Sequence, residues 1–89
     1  MAIYELLLSK AARKKLTSFP ILIQNKIIED ISLLASIPRP SGCKKLKAYK
    51  NAYRIRVGDY RIIYEIEDRA LRILVIAIGN RKYVYEYRV

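Results

Sequence analysis

With 89 residues, 53% of them apolar, the chain makes one domain spanning residues 1–89, with enough aliphatic side chains to fold and too little length for a second core. Eighteen Lys and Arg against eight Asp and Glu give a net charge of +10, a field that calls for a polyanionic partner: nucleic acid, an acidic protein or an anionic membrane. One cysteine, Cys43, and no histidine exclude a disulfide framework, a thiolate metal cage and the usual base of neutral pH, so neither metal nor cofactor is implied.

Ile3 to Leu8 reads as a first strand, and it lacks the basic leader and cleavage site of a signal peptide. Ser9 is placed to cap a helix running to about Thr17, with Ala11, Ala12 and Leu16 inward and Arg13, Lys14 and Lys15 mostly outward. Ser18-Phe19-Pro20 breaks that helix, and Pro20 suits the first turn of the next. In the second helix Ile23, Ile27, Ile28, Ile31, Leu34 and Ala35 recur at spacings of three, four and seven. They make one apolar stripe, which packs the helix pair on a sheet.

Ile37 to Gly42 contains Pro38, Pro40 and Gly42 and ends the helix. A basic loop follows to Asn51, carrying Lys44, Lys45, Lys47 and Lys50. Tyr53 to Tyr64 then reads as a hairpin whose two-residue turn, Gly58-Asp59, has glycine first, as a type II′ turn prefers. That register sets Val57 opposite Tyr60, Arg56 opposite Arg61, Ile55 opposite Ile62 and Arg54 opposite Ile63. Side chains alternate along a strand, so Tyr53, Ile55, Val57, Tyr60, Ile62 and Tyr64 share an apolar face while Arg54, Arg56 and Arg61 share the other. A turn around Asp68 to Ala70 leads to a strand from about Leu71 to Ile78, apolar on both faces apart from Arg72 and suited to a central place under the helices. Its apolar run, Ile73 to Ile78, is far short of the roughly 20 residues that span a bilayer, and no membrane role is expected. Gly79-Asn80 reads as a sharp departure, and Tyr83 to Tyr87 as a last short strand or extended tail. The expected class is α+β, in the order β-α-α-β-β-β, with a helix hairpin on one face of a mainly antiparallel sheet.

Like charges directly opposite one another destabilise a sheet by a few tenths to about 1 kcal/mol. Three arginines on one face therefore point to an anion held among them, since guanidinium forks bind phosphate bidentately. Arg81, just beyond the last core strand, can reach the same region, with Tyr85 shortly after. Tyrosines among arginines suit unpaired RNA, whose bases stack on flat side chains. Tyr83, Tyr85 and Tyr87 share one parity, and that row serves a site or ordinary packing equally well.

Lys45-Leu46-Lys47, Tyr53-Arg54-Ile55-Arg56, Gly58-Asp59-Tyr60-Arg61-Ile62-Ile63-Tyr64 and Gly79-Asn80-Arg81-Lys82 leading to Val84-Tyr85 together resemble the RelE/ParE superfamily of toxins from type II toxin–antitoxin pairs. The resemblance covers nearly the whole chain. It implies, closest to the RelE branch, an mRNA interferase: a ribosome-dependent endoribonuclease that cuts messenger in the A site by attack of a 2′-OH, leaving a 2′,3′-cyclic phosphate and a 5′-OH. By position it implies Arg61 on the scissile phosphate, Arg81 on the developing charge, and Tyr85 stacking on or orienting a nucleotide. Arg54 and Arg56 would hold the RNA backbone, flanked by Lys45, Lys47 and Lys50. The implied partners are the ribosome with its mRNA and a RelB-like antitoxin that covers the basic face, the pair binding operator DNA through the antitoxin; the implied location is cytoplasmic.

Two departures stand out. Familiar RelE proteins carry lysines where this chain has Arg54 and Arg56, and arginine does not give up its proton. The base is then either Tyr85 or no formal group, with the ribosome aligning the 2′-OH for in-line attack. The sequence to Val89 also leaves no space for the extra C-terminal helix of some relatives. The same resemblance allows a ParE-like reading, a gyrase poison without nuclease chemistry, and the basic face alone allows a non-catalytic nucleic-acid-binding domain.

Overall fold

In the computed structural model, residues 3–47 and 49–80 are described. Seven elements follow in chain order: β1 (Glu5–Leu8), α1 (Lys10–Thr17), α2 (Ile21–Leu33), β2 (Lys44–Lys45), β3 (Ala52–Val57), β4 (Tyr60–Glu67) and β5 (Arg72–Asn80). The strands make one sheet in the order β1-β5-β4-β3-β2, with β1 parallel to β5 and every other pair antiparallel. Both helices pack on one face of it, as the α+β reading requires. Ala12 and Leu16 of α1 and Ile27 and Ile31 of α2 meet Ile55, Ile62, Ile66 and Val75 of the sheet in one buried cluster.

Ser9 holds the first helix to the sheet at two levels. Its Oγ accepts from the Ala12 amide at 3.0 Å, the N-cap bond read from the sequence. The same hydroxyl donates to the Ile76 carbonyl at 3.2 Å, and the Ser9 amide donates to Val75 O at 2.8 Å. Ile76 is the extra residue of a β-bulge, because Ile63 pairs with Ala77 while Tyr64 pairs with Val75. One serine thus caps a helix and satisfies a carbonyl that the ladder leaves over.

Pro20 stands one position earlier than expected, at the N-cap of α2, where its missing N–H costs nothing. The apolar stripe holds for Ile27, Ile31 and Leu34, which are buried, and for half-buried Ile23. Ile28 is the exception at 46% exposed, since it lies on the outer margin of the stripe.

The hairpin register is the expected one at every pair from Tyr53↔Tyr64 to Val57↔Tyr60. Gly58 has φ +60° and Asp59 does not have a positive φ, which is the II′ pattern.

Three other expectations are corrected. Lys44–Lys45, read as loop, forms β2 by pairing with Arg54 and Tyr53. The last core strand begins at Arg72, because Leu71 (φ +50°) still belongs to the turn, and it lies second in the sheet, with β4 in the middle. Gly79 and Asn80 do not depart; they continue β5 opposite Arg61 and Tyr60. The tail strand expected over residues 83–87 lies outside the described residues.

A second, smaller cluster occupies the sheet face away from the helices. Leu46, Ala52 and Ile63 are fully buried there, with Tyr49, Ile76 and Ala77 against them. The basic loop is therefore anchored: Leu46 is its apolar foot, and its amide donates to Ala52 O at 2.9 Å. No helix among the described residues is long and apolar enough to cross a membrane.

Candidate nucleic-acid interface

Two rows of side chains cross the helix-free face of the sheet. One runs Lys44–Arg54–Ile63–Ala77 and the next Arg56–Arg61–Gly79, each residue directly opposite its neighbour on the adjoining strand. The arginine parity deduced from the hairpin is therefore correct. Gly79, which is buried, contributes no side chain beside Arg61.

The three guanidiniums act on one another. Burial first, and then the charges of Arg61 and Arg56, pull the Arg54 guanidinium below its ordinary pKa. Arg54 is half-buried, and its Nε is fully buried with no hydrogen-bond partner among the described residues. Among the described residues, none of Arg54, Arg56 and Arg61 joins an ion pair; the carboxylates that are paired go to Lys26, Arg39 and Arg72. A buried donor without an acceptor costs about 1–3 kcal/mol. An anion seated among the three guanidiniums would relieve their mutual repulsion.

Two cavities meet at this cluster. Arg56 and Arg61 line one of about 160 Å³ together with Gly58, Asp59 and Asn80. The other, about 680 Å³, lies between Leu33 and Leu34 at the end of α2, the Ile37-to-Gly42 loop, and β3 from Arg54 to Arg56. β2 pairs only with Tyr53 and Arg54, so the outer edge of β3 from Ile55 to Val57 has no strand partner among the described residues. Lys45, Lys47 and Lys50 surround a separate concavity of about 470 Å³ floored by Leu46 and Tyr49. The lysines expected to flank the arginines thus sit on their own ledge, and Lys45 stands opposite Tyr53 rather than in the row that holds Arg54. Arg81 and Tyr85 lie outside the described residues.

Asn80, Lys44 and Asp59 escaped the sequence-based site. Asn80 would have emerged from extending the strand pairing two residues past Ile78. Lys44 required β2, which two residues of pattern cannot announce.

The tyrosines on the opposite face are structural. Tyr64 is fully buried, stacks on Tyr53 at 6.0 Å and donates its hydroxyl to Pro38 O at 2.7 Å. Burial raises its pKa. Tyr60 packs against Phe19 at 4.8 Å. At the far end of the sheet, Arg39 grips Asp68 with two bonds (2.9 and 3.3 Å) and donates through Nε to Tyr53 Oη at 3.1 Å. Tyr4 adds a 2.7 Å bond to Asp68. The Arg39 bonds, and then that of Tyr4, hold the Asp68 carboxyl below its ordinary range. This network fastens the loop after α2 and keeps Arg39 out of the basic cluster.

The chain resembles known proteins along most of its length. A family model described as the ParE toxin of the type II toxin–antitoxin system parDE matches residues 6–85. A curated relative, Toxin RelE3 of Methanocaldococcus jannaschii, is 46% identical over 44 residues, so the match spans about half of either chain (49% and 48%). The toxin in a RelB–RelE antitoxin–toxin complex from Methanococcus jannaschii is 32% identical over 91% of this chain and 96% of that one, with a TM-score of 0.72. In an archaeal RelE–RelB complex from Pyrococcus horikoshii OT3 the figures are 27%, 91% and 98%, with a TM-score of 0.80. A likeness that runs through the hairpin, the strand pairing and the helix pair alike places this chain in the RelE/ParE superfamily of type II toxin–antitoxin toxins.

Proposed function

We propose that this protein is a ribosome-dependent endoribonuclease of the RelE kind, cutting mRNA by 2′-OH attack to leave a 2′,3′-cyclic phosphate and a 5′-OH. The observation that supports it most is the unpaired arginine set: three guanidiniums on one sheet face, one with a buried donor that nothing among the described residues satisfies. A phosphorane-like transition state adds negative charge at phosphorus, and fixed donors there contribute on the order of 3–4 kcal/mol each. Arg61 takes the scissile phosphate, Arg54 and Arg56 hold the backbone to either side, and the ledge of Lys45, Lys47 and Lys50 carries the flanking strand. Arg81 and Tyr85 complete the set, one on the developing charge and one stacked on the substrate nucleotide.

The two archaeal relatives named above were solved as complexes with RelB antitoxins. A cognate antitoxin is accordingly the expected partner here, working in the cytoplasm, with the pair contacting operator DNA through the antitoxin. A segment bearing both acidic and apolar side chains matches the groove of about 680 Å³, where Leu33 and Ile37 face Arg54 and Arg56.

Added to a cell-free translation reaction, the protein should generate cuts within translated codons that disappear when ribosomes are withheld. Arg61→Ala should lower the cleavage rate by roughly 10²–10³-fold without changing the melting temperature. Inhibited supercoiling with intact mRNA would instead support gyrase poisoning, the reading favoured by the ParE description of the matching family.

A further inference from the structure

Histidine, the commonest base at neutral pH, is absent from this chain, and the arginines of the cluster do not accept a proton. The cavity of about 160 Å³ supplies another candidate. Its wall holds Arg56 and Arg61 from the two hairpin strands, Asn80 from β5 and, at the turn between the strands, Asp59. The II′ turn fixes that arrangement, because Gly58 takes the positive φ and leaves Asp59 at the second loop position.

Asp59 differs from the other described carboxylates. Asp30 pairs with Lys26, Asp68 with Arg39, and Glu5 and Glu67 with Arg72. Glu65 shares the arginine face but stands four residues along β4 from Arg61, about 13 Å away at strand rise. Glu29 lies on α2. Among the described residues, no cation comes within 4 Å of the Asp59 carboxylate, although two guanidiniums line the same cavity. It is an acceptor beside two guanidinium donors, and none of the ion pairs among the described residues uses it.

Resting on the nuclease reading above, we infer that Asp59 is a catalytic residue of this cavity, the general base for the attacking ribose hydroxyl of a single-stranded RNA. Arg56 and Arg61 hold the non-bridging oxygens of the phosphodiester against one wall. The Asp59 carboxylate takes the 2′-OH proton as the 2′-oxygen forms its bond to phosphorus. The P–O5′ bond breaks, and the departing 5′-oxygen takes a proton from water. The products are a 2′,3′-cyclic phosphate, a 5′-OH and protonated Asp59, which returns its proton to solvent.

Single-turnover cleavage on mRNA-programmed ribosomes, followed across pH for the intact protein, Asp59→Asn and Asp59→Glu, tests this. Asn is at home in a hairpin turn, so the first variant should keep the native melting temperature and ribosome binding. It should cleave roughly 10²–10⁴-fold more slowly, the usual worth of a general base, and its residual rate should no longer fall on the acid side as that of the parent does. The Glu variant keeps a carboxylate one methylene further out, and should retain part of the rate together with the acid-side fall. Equal rates and equal pH profiles for parent and Asn variant would overturn the base assignment and leave the nuclease intact. So would a Glu variant as inactive as the Asn variant while folded. A parent that makes no cyclic-phosphate ends at all would overturn the nuclease reading and this inference with it.

Discussion

Arg54 occupies a position where burial and neighbouring charge both work against it. Its Nε is enclosed without an acceptor among the described residues, and two further guanidiniums stand on the same face. Selection for stability alone would put an apolar side chain there. Replacing Arg54 by Met should therefore raise stability by a few tenths to about 1 kcal/mol as like-charge repulsion is relieved. In a domain of this size that is a rise of up to roughly 4–8 °C in melting temperature. The same substitution should reduce RNA cleavage by roughly 10–10²-fold, the scale of one lost charge-assisted hydrogen bond to the RNA backbone. Differential scanning calorimetry beside an end-mapping assay reads both. A variant that lost stability as well as activity would show that Arg54 is a packing residue, whatever else it does.

Much of the architecture at the level of strands and helices could be read from residue pattern, because the informative segments are local. The hairpin from Tyr53 to Tyr64 carries its own turn, alternation and register, and all of these are found as expected. Ser9 and the α2 stripe are local signals of the same kind. What escaped reading depends on contacts distant in sequence. β2 is two residues long and exists only because Leu46 is drawn under the sheet onto Ala52 and Ile63. Gly79-Asn80 looks like a turn in isolation, yet the β4 ladder holds it in strand. The bulge at Ile76 has no signature beyond a serine 67 residues away that satisfies its carbonyl. The site was legible to the same degree: Arg54, Arg56 and Arg61 follow from hairpin parity, whereas Asn80, Lys44 and the lysine ledge follow from the tertiary fold. Leu46 tests how far that ledge depends on its foot. Leu46→Ala should cost about 2–3 kcal/mol, as expected for a buried leucine in a small cluster. It should also weaken RNA binding, since Lys45 and Lys47 adjoin it in sequence. Urea unfolding paired with fluorescence anisotropy on a short single-stranded RNA measures the two effects.

At the scale of the whole molecule, a net charge of +10 gives the protein an affinity for polyanions before any specific contact forms. Six cations are assigned to RNA among the described residues: Arg54, Arg56, Arg61, Lys45, Lys47 and Lys50. If each neutralises one phosphate, the logarithm of the affinity for a single strand should fall with the logarithm of salt at a slope of about −4. Titrations between low and physiological salt check this. A slope near −1 would mean that most of these side chains do not meet the backbone together.

The parallel pairing of β1 with β5 has a consequence for the order of events during synthesis. Glu5 lies beside Arg72 and Leu8 beside Val75, so β1 must wait for β5, made more than sixty residues later, before it gains its strand neighbour. Contacts that join opposite ends of a chain slow folding, because a long loop has to close first. The β4–β5 ladder, which sets Gly79 beside Arg61 and Asn80 beside Tyr60, likewise closes only once β5 has emerged from the ribosome.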